Sequence, residues 1–151
     1  RAPAMRQSRR FFGLALADKA MLARCLWSLA TIFVALQTRG YHRVSQDLTA
    51  RLRRRQPPRS DCPSAAKIIW AVRAAARTLP RTRCLAQAVT LHYLLARSGH
   101  ASIIRIGITG DQTLGFEAHA WVVRDGRIAI GEAGAADGRF RTMTELQLAP
   151  Q

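Results

Sequence analysis

Cys84 and His119 are the two side chains with the clearest capacity for chemistry. Cys84 opens a segment, 83–97, whose apolar residues recur at helical spacing and which Ser98-Gly99 stops. With Thr82 as its N-cap, this helix carries Cys84 in its first turn. There the positive end of the helix dipole, with Arg81 and Arg83 nearby, favours a thiolate. A thiolate attacks acyl carbon, so the chemistry is acyl transfer through a covalent thioester. The competing use of such a cysteine is packing as a small hydrophobe. His119 sits in Phe116-Glu117-Ala118-His119-Ala120-Trp121-Val122-Val123. Strand alternation puts His119, Trp121 and Val123 on one face. A strand histidine facing a helix-terminal cysteine is the base this chemistry requires.

The third member is read from a hairpin. Asp125-Gly126 is a two-residue turn signal. Arg124 then pairs with Arg127, Val123 with Ile128, Trp121 with Ile130, and His119 with Glu132. Directly opposed residues share a face, which lets Glu132 accept from the imidazole and orient it. A one-residue slip turns Glu132 to the other face, with Asp137 as the fallback acid. Other candidates read as structural. His92 lies two turns beyond Cys84, His100 begins a strand, and His42, Cys25 and Cys62 have no evident partner. Trp27 and Trp70 fall on apolar helix faces and are expected in the core. No CxxC pair or Cys/His cluster has metal-ligand spacing, so neither metal nor cofactor is expected.

The elements that must position this set follow from periodicity. Residues 14–37 read as a helix closed by Thr38-Arg39-Gly40, and 45–55 as a second, ending before Pro57-Pro58. Ser60-Asp61-Cys62-Pro63 starts the next helix, with apolar Ile68, Ile69, Val72, Ala75, Ala76 and Leu79, and Pro80 ends it. Beyond Gly99 the period changes to 2. Strands are expected at 100–109, 116–124 and 127–132, and a short one at 140–143. Helices followed by an antiparallel sheet make an α+β fold. The boundary at 57–59 divides a helical arm, 1–56, from a core, 57–151.

Charge separates the same two regions. The net charge is +15, and the first 60 residues carry 13 basic and 2 acidic side chains. A basic arm suits anionic partners, although 22 arginines against two lysines also suit compositional bias. No stacking aromatics or groove-reading motif accompany the charge, so a nucleic-acid-binding module rests on charge alone and no specific nucleic acid is expected. Three cysteines cannot form a complete disulfide framework, which fits a reducing, cytoplasmic setting. Ser8-Arg9-Arg10-Phe11-Phe12 is similar to a twin-arginine signal, but Asp18 and Lys19 interrupt the apolar run that should follow. The charge-free stretch Cys25–Leu36 is short for a membrane span. Contact of the arm with a membrane surface or a partner is the expectation.

Arg83-Cys84-Leu85-Ala86-Gln87-Ala88, Gly99-His100, the Ile-rich strand, Ala118-His119-Ala120-Trp121 and Asp125-Gly126, with Ile69-Trp70-Ala71-Val72-Arg73 upstream, resemble one family. It is the lasso-peptide leader peptidases, the maturation B proteins of the transglutaminase-like superfamily; the likeness covers about residues 48–146. The resemblance implies a papain/transglutaminase-like core and a Cys-His-acid cysteine peptidase, with Cys84 and His119 carried over. The acid is usually Asp in such enzymes, whereas the matching strand end here reads Ile130-Gly131-Glu132. Residues 1–55 lack the strands of a fused leader-recognition module. The implied partners are therefore a precursor peptide bound through its leader, a separate recognition protein and an ATP-dependent cyclase. An amide-forming acyltransferase uses the same three groups, and a non-catalytic scaffold uses none of them.

Overall fold

The structure is a computed structural model describing residues 15–55, 61–79, 83–109, 117–132, 138 and 140–148. Three helices, α1 (Leu16–Arg53), α2 (Ala65–Thr78) and α3 (Cys84–Arg97), precede four strands, β1 (Ile103–Ile108), β2 (Ala118–Arg124), β3 (Arg127–Ile130) and β4 (Arg141–Leu146). The sheet order is β3-β2-β1-β4, with every neighbouring pair antiparallel. The fold is α+β.

α3 is the central element. Ala88, Val89, Leu91 and Leu95 are fully buried, and so is Thr90, whose hydroxyl donates to the Ala86 carbonyl at 2.7 Å. A helix buried around most of its circumference needs neighbours on every side. α1, α2 and the sheet supply them. Leu22, Cys25, Leu29 and Ile32 of α1 recur at helical spacing and enter the same core as Ile68, Val72 and Ala75 of α2 and Ile104, Ala120 and Val122 of the sheet. The segment read as an arm therefore packs into the one core. The proline boundary itself, 57–59, lies outside the described residues.

Local signals explain most element ends. Gly40, at φ 75° and ψ 164°, breaks α1 in the middle, and helix resumes at once. Such a backbone is easy only for glycine. Ser64, rather than Ser60 or Asp61, caps α2 by accepting from the Lys67 N–H. α3 ends at Gly99, φ 79°, with the His100 and Gly99 amides returning to the Leu95 and Ala96 carbonyls. Trp27 and Trp70 are not core residues; they are 73% and 41% exposed. Leu16, Trp27 and Val34 instead form an outward apolar stripe on α1. By length and composition α1 can also cross a membrane, with a mean hydropathy of 1.5 in its most apolar window.

The last described residues are tied back to the helices. The Leu148 amide donates to His92 Nε2 at 3.0 Å, and the Thr49 hydroxyl donates to the Leu148 carbonyl. His92 Nε2 is thus an acceptor, and Nδ1–H faces the Ser102 hydroxyl at 2.8 Å. Burial lowers the His92 pKa from its ordinary 6.5 to about 4. Between those values the unfolded chain takes up a proton that the folded chain does not. The stability that neutral His92 allows is therefore complete above pH 6.5 and is lost as pH falls toward 4, by on the order of 3 kcal/mol. Urea midpoints should drop between pH 6.5 and 5, and a His92→Gln variant should lose that dependence. A parent midpoint that stays flat across this window would refute it.

Candidate active site

Cys84 is the first helical residue of α3, with Arg83 in the N-cap position and no side-chain cap. The helix thus starts one residue later than expected, and Thr82 and Arg81 lie outside the described residues. Cys84 is half-buried against the core. The first-turn amides of an α-helix have no partner within the helix, so they remain available to an oxyanion. Cys25 is the opposite case. It is 1% exposed, and burial raises its pKa to about 11, which keeps it a thiol despite the opposing charge of Arg24.

The hairpin register departs from simple pairing. Arg124 pairs with Arg127 and Val123 with Ile128, but Val122, not Trp121, then pairs with Ile130. Ala129 is an extra residue in β3, a bulge that slips the register by one. The Arg73 guanidinium holds the bulge, donating through Nε to the Ala129 carbonyl at 2.9 Å. Its Nη2 reaches Glu132 Oε1 at 2.5 Å. Glu132 is therefore not opposite His119; its carboxylate serves Arg73. The fallback acid, Asp137, lies outside the described residues.

What meets the His119 ring is the Gly131 carbonyl, 2.9 Å from Nε2. A carbonyl only accepts, so Nε2 carries the proton and Nδ1 holds the free lone pair. The ring is half-buried between Trp121, with centroids 6.1 Å apart, and Phe140, at 5.1 Å. Two glycines make room for this arrangement. Gly131 has φ 86°, and a Cβ there would come within 2.8 Å of the Ala120 carbonyl and of Trp121 Cβ. Gly107, the strand partner of His119, would place a Cβ 2.8 Å from the Trp121 ring.

Cys84 and His119 belong to one end of the molecule. A cleft of about 330 Å³ is lined by Arg73, Ala76 and Arg77 of α2, Gln87 of α3, and Ile130 and Glu132 at the end of β3. Gln87 lies three residues after Cys84, on the same helix face. Gly131, between Ile130 and Glu132, carries the His119 hydrogen bond. Among the described residues no hydrogen bond joins Cys84 to His119.

The sequence profile of the Transglutaminase-like superfamily matches residues 26–145, most of the chain. The chain belongs to the transglutaminase-like superfamily. The match begins inside α1 and takes in Cys84, His119 and Glu132. Acyl transfer through a cysteine, as peptidase or acyltransferase, is consistent with that membership. Searches of curated proteins and of solved structures return no match.

Sequence reasoning missed the Gly131 carbonyl, Phe140 and Arg73 as supports of the site. Gly131 after a strand was a readable sign of unusual backbone, whereas nothing in Ile128-Ala129-Ile130 marks a bulge. Gly131→Ala should cost about 2 kcal/mol, because the left-handed backbone and the backbone contact both resist a methyl. It should also free the His119 ring. Denaturation gives the stability change, and the imidazole Nε2 proton resonance reports the lost bond. A variant with parental stability and an unshifted resonance would show that neither contact matters.

Proposed function

We propose that this chain is a cysteine peptidase that removes the leader from a ribosomally made lasso-peptide precursor. The observation that carries the reading is Cys84 at the start of a buried helix, at the same end of the fold as an imidazole that turns Nε2, not Nδ1, to the Gly131 carbonyl. Membership of the superfamily supports acyl transfer, and the motifs around Cys84 and His119 support the leader substrate.

In this reading His119 Nδ1 takes the thiol proton, and the Cys84 sulfur attacks the carbonyl carbon at the junction of leader and core. The first-turn amides of α3 receive the oxyanion. The bond to the core amine breaks, and His119 returns the proton to that amine. Water, deprotonated by His119, then hydrolyses the thioester. The Gly131 carbonyl holds the ring and stabilises the imidazolium, the duty first assigned to Glu132. A separate leader-recognition protein delivers the precursor, and an ATP-dependent cyclase consumes the released core. The Leu16–Trp27–Val34 stripe beside basic side chains supports contact with an anionic membrane surface.

Mass spectrometry of precursor mixed with recognition partner and enzyme tests the reaction. Cys84→Ala and His119→Ala should abolish leader release. Glu132→Gln should retain activity within about tenfold, whereas a loss of roughly 10⁴-fold would restore the carboxylate as the third member. A crosslinked product without released leader would make the enzyme an acyltransferase. Sedimentation with anionic vesicles should weaken in a Trp27→Ser, Val34→Ser variant; unchanged binding would remove the stripe from membrane contact.

A further inference from the structure

At the other end of α3, a second cleft of about 620 Å³ opens between the early turns of α1, the residues just past its end, those leading into α2 and the last turn of α3. Arg24, Arg54, Arg55 and Arg97 line it, opposed by one carboxylate, Asp61. A shallower groove of about 440 Å³ continues from it, sharing Arg54, Arg55 and Arg97 and adding Arg51. Among the described residues, Arg39, Lys67, Arg73, Arg105 and Arg124 hold the ion pairs, and none of the five cleft arginines is in one.

Converging guanidinium groups repel one another, and their paired donors match carboxylate geometry. Met21, Ile68 and Leu94 add an apolar part to the same wall. We propose that this cleft binds an acidic peptide segment. Its carboxylates sit on the arginines, and an apolar side chain from the same segment sits on Met21, Ile68 and Leu94. The mixed wall favours peptide over nucleic acid: a phosphodiester chain would leave the apolar part unmatched, and Tyr93, the described aromatic that lines the continuing groove, is only 9% exposed and offers little face for a base to stack on. Cys84 and Arg97 stand at opposite ends of a helix rising 1.5 Å per residue, so the cleft lies about 20 Å from the nucleophile. It is a remote anchoring site, and it does not depend on what Cys84 does.

The test uses the full chain carrying Cys84→Ala. A fluorescent peptide of alternating Glu and Leu is titrated by anisotropy, with an alternating Lys and Leu peptide, pyrophosphate and an RNA oligonucleotide as separate arms. The acidic peptide should bind, and more weakly as salt rises. Arg54→Glu with Arg97→Glu should weaken it by about tenfold or more, and Arg54→Ala by less. Arg127→Glu, on the hairpin turn, makes the same charge change elsewhere and should leave binding intact. Cys62 and Cys25 both border the cleft, but Cys62 is half-buried whereas Cys25 is 1% exposed, so alkylation in this variant reports mainly on Cys62. Bound peptide should slow it. Equal affinity in the folded double variant, or unprotected Cys62, would overturn the site. RNA binding there without acidic-peptide binding would overturn the assignment of its ligand.

Discussion

Burial of α3 is the constraint on which the rest of the structure depends. Ala88, Val89, Leu91 and Leu95 have no exposed surface, so α1, α2 and the sheet must each cover one side of the helix. Only its ends reach the surface. One end presents Cys84 beside the cleft lined by Gln87, Ile130 and Glu132. The other presents Arg97 to the basic cleft. A rigid, buried helix thus fixes the separation between a reactive end and a charged end, and neither depends on a loop for its position.

Around the Cys84 end of α3, a backbone carbonyl rather than the Glu132 carboxylate meets the His119 ring. Arg73 spends its guanidinium on the Ala129 carbonyl and on Glu132, which keeps the bulge in place. The bulge brings Gly131 against Ala120 and Trp121, and its carbonyl meets the imidazole. A carbonyl dipole orients a histidine as a carboxylate does, but it brings no full charge to the imidazolium and does not titrate.

Much of this was legible in the sequence, because it depends on short-range physics. The change from helical to strand periodicity located every described element, and Gly40, Gly99 and Asp125-Gly126 marked real breaks and turns. The first-turn position of Cys84 followed from the same signals. The group that meets the His119 ring did not. Simple hairpin pairing holds as far as Val123 and Ile128, and then one unpaired alanine moves Glu132 out of register. Ile128 and Ile130 are both apolar, so the pattern reads the same with or without the slip. Trp27 and Trp70 are exposed for a different reason: Trp27 lies in the charge-free stretch of α1 and Trp70 beside the apolar face of α2, and the sequence does not say which side of either helix its neighbours will cover. The arginine cleft was invisible because it assembles residues 24, 54, 55 and 97 from two helices.

The tie between Thr49, Leu148 and His92 also orders events in time. The hydrogen bond from Thr49 closes a loop of 99 residues, and its partner Leu148 also satisfies Nε2 of a histidine at the middle of the central helix. During synthesis α1, α2 and α3 leave the ribosome well before residue 148. Until then the imidazole has no amide to accept from, and leaving it buried without one is costly. Contacts so far apart in sequence form late. The helical layer must therefore stay open or hydrated around His92 until the tail arrives, and docking of Leu148 closes the fold.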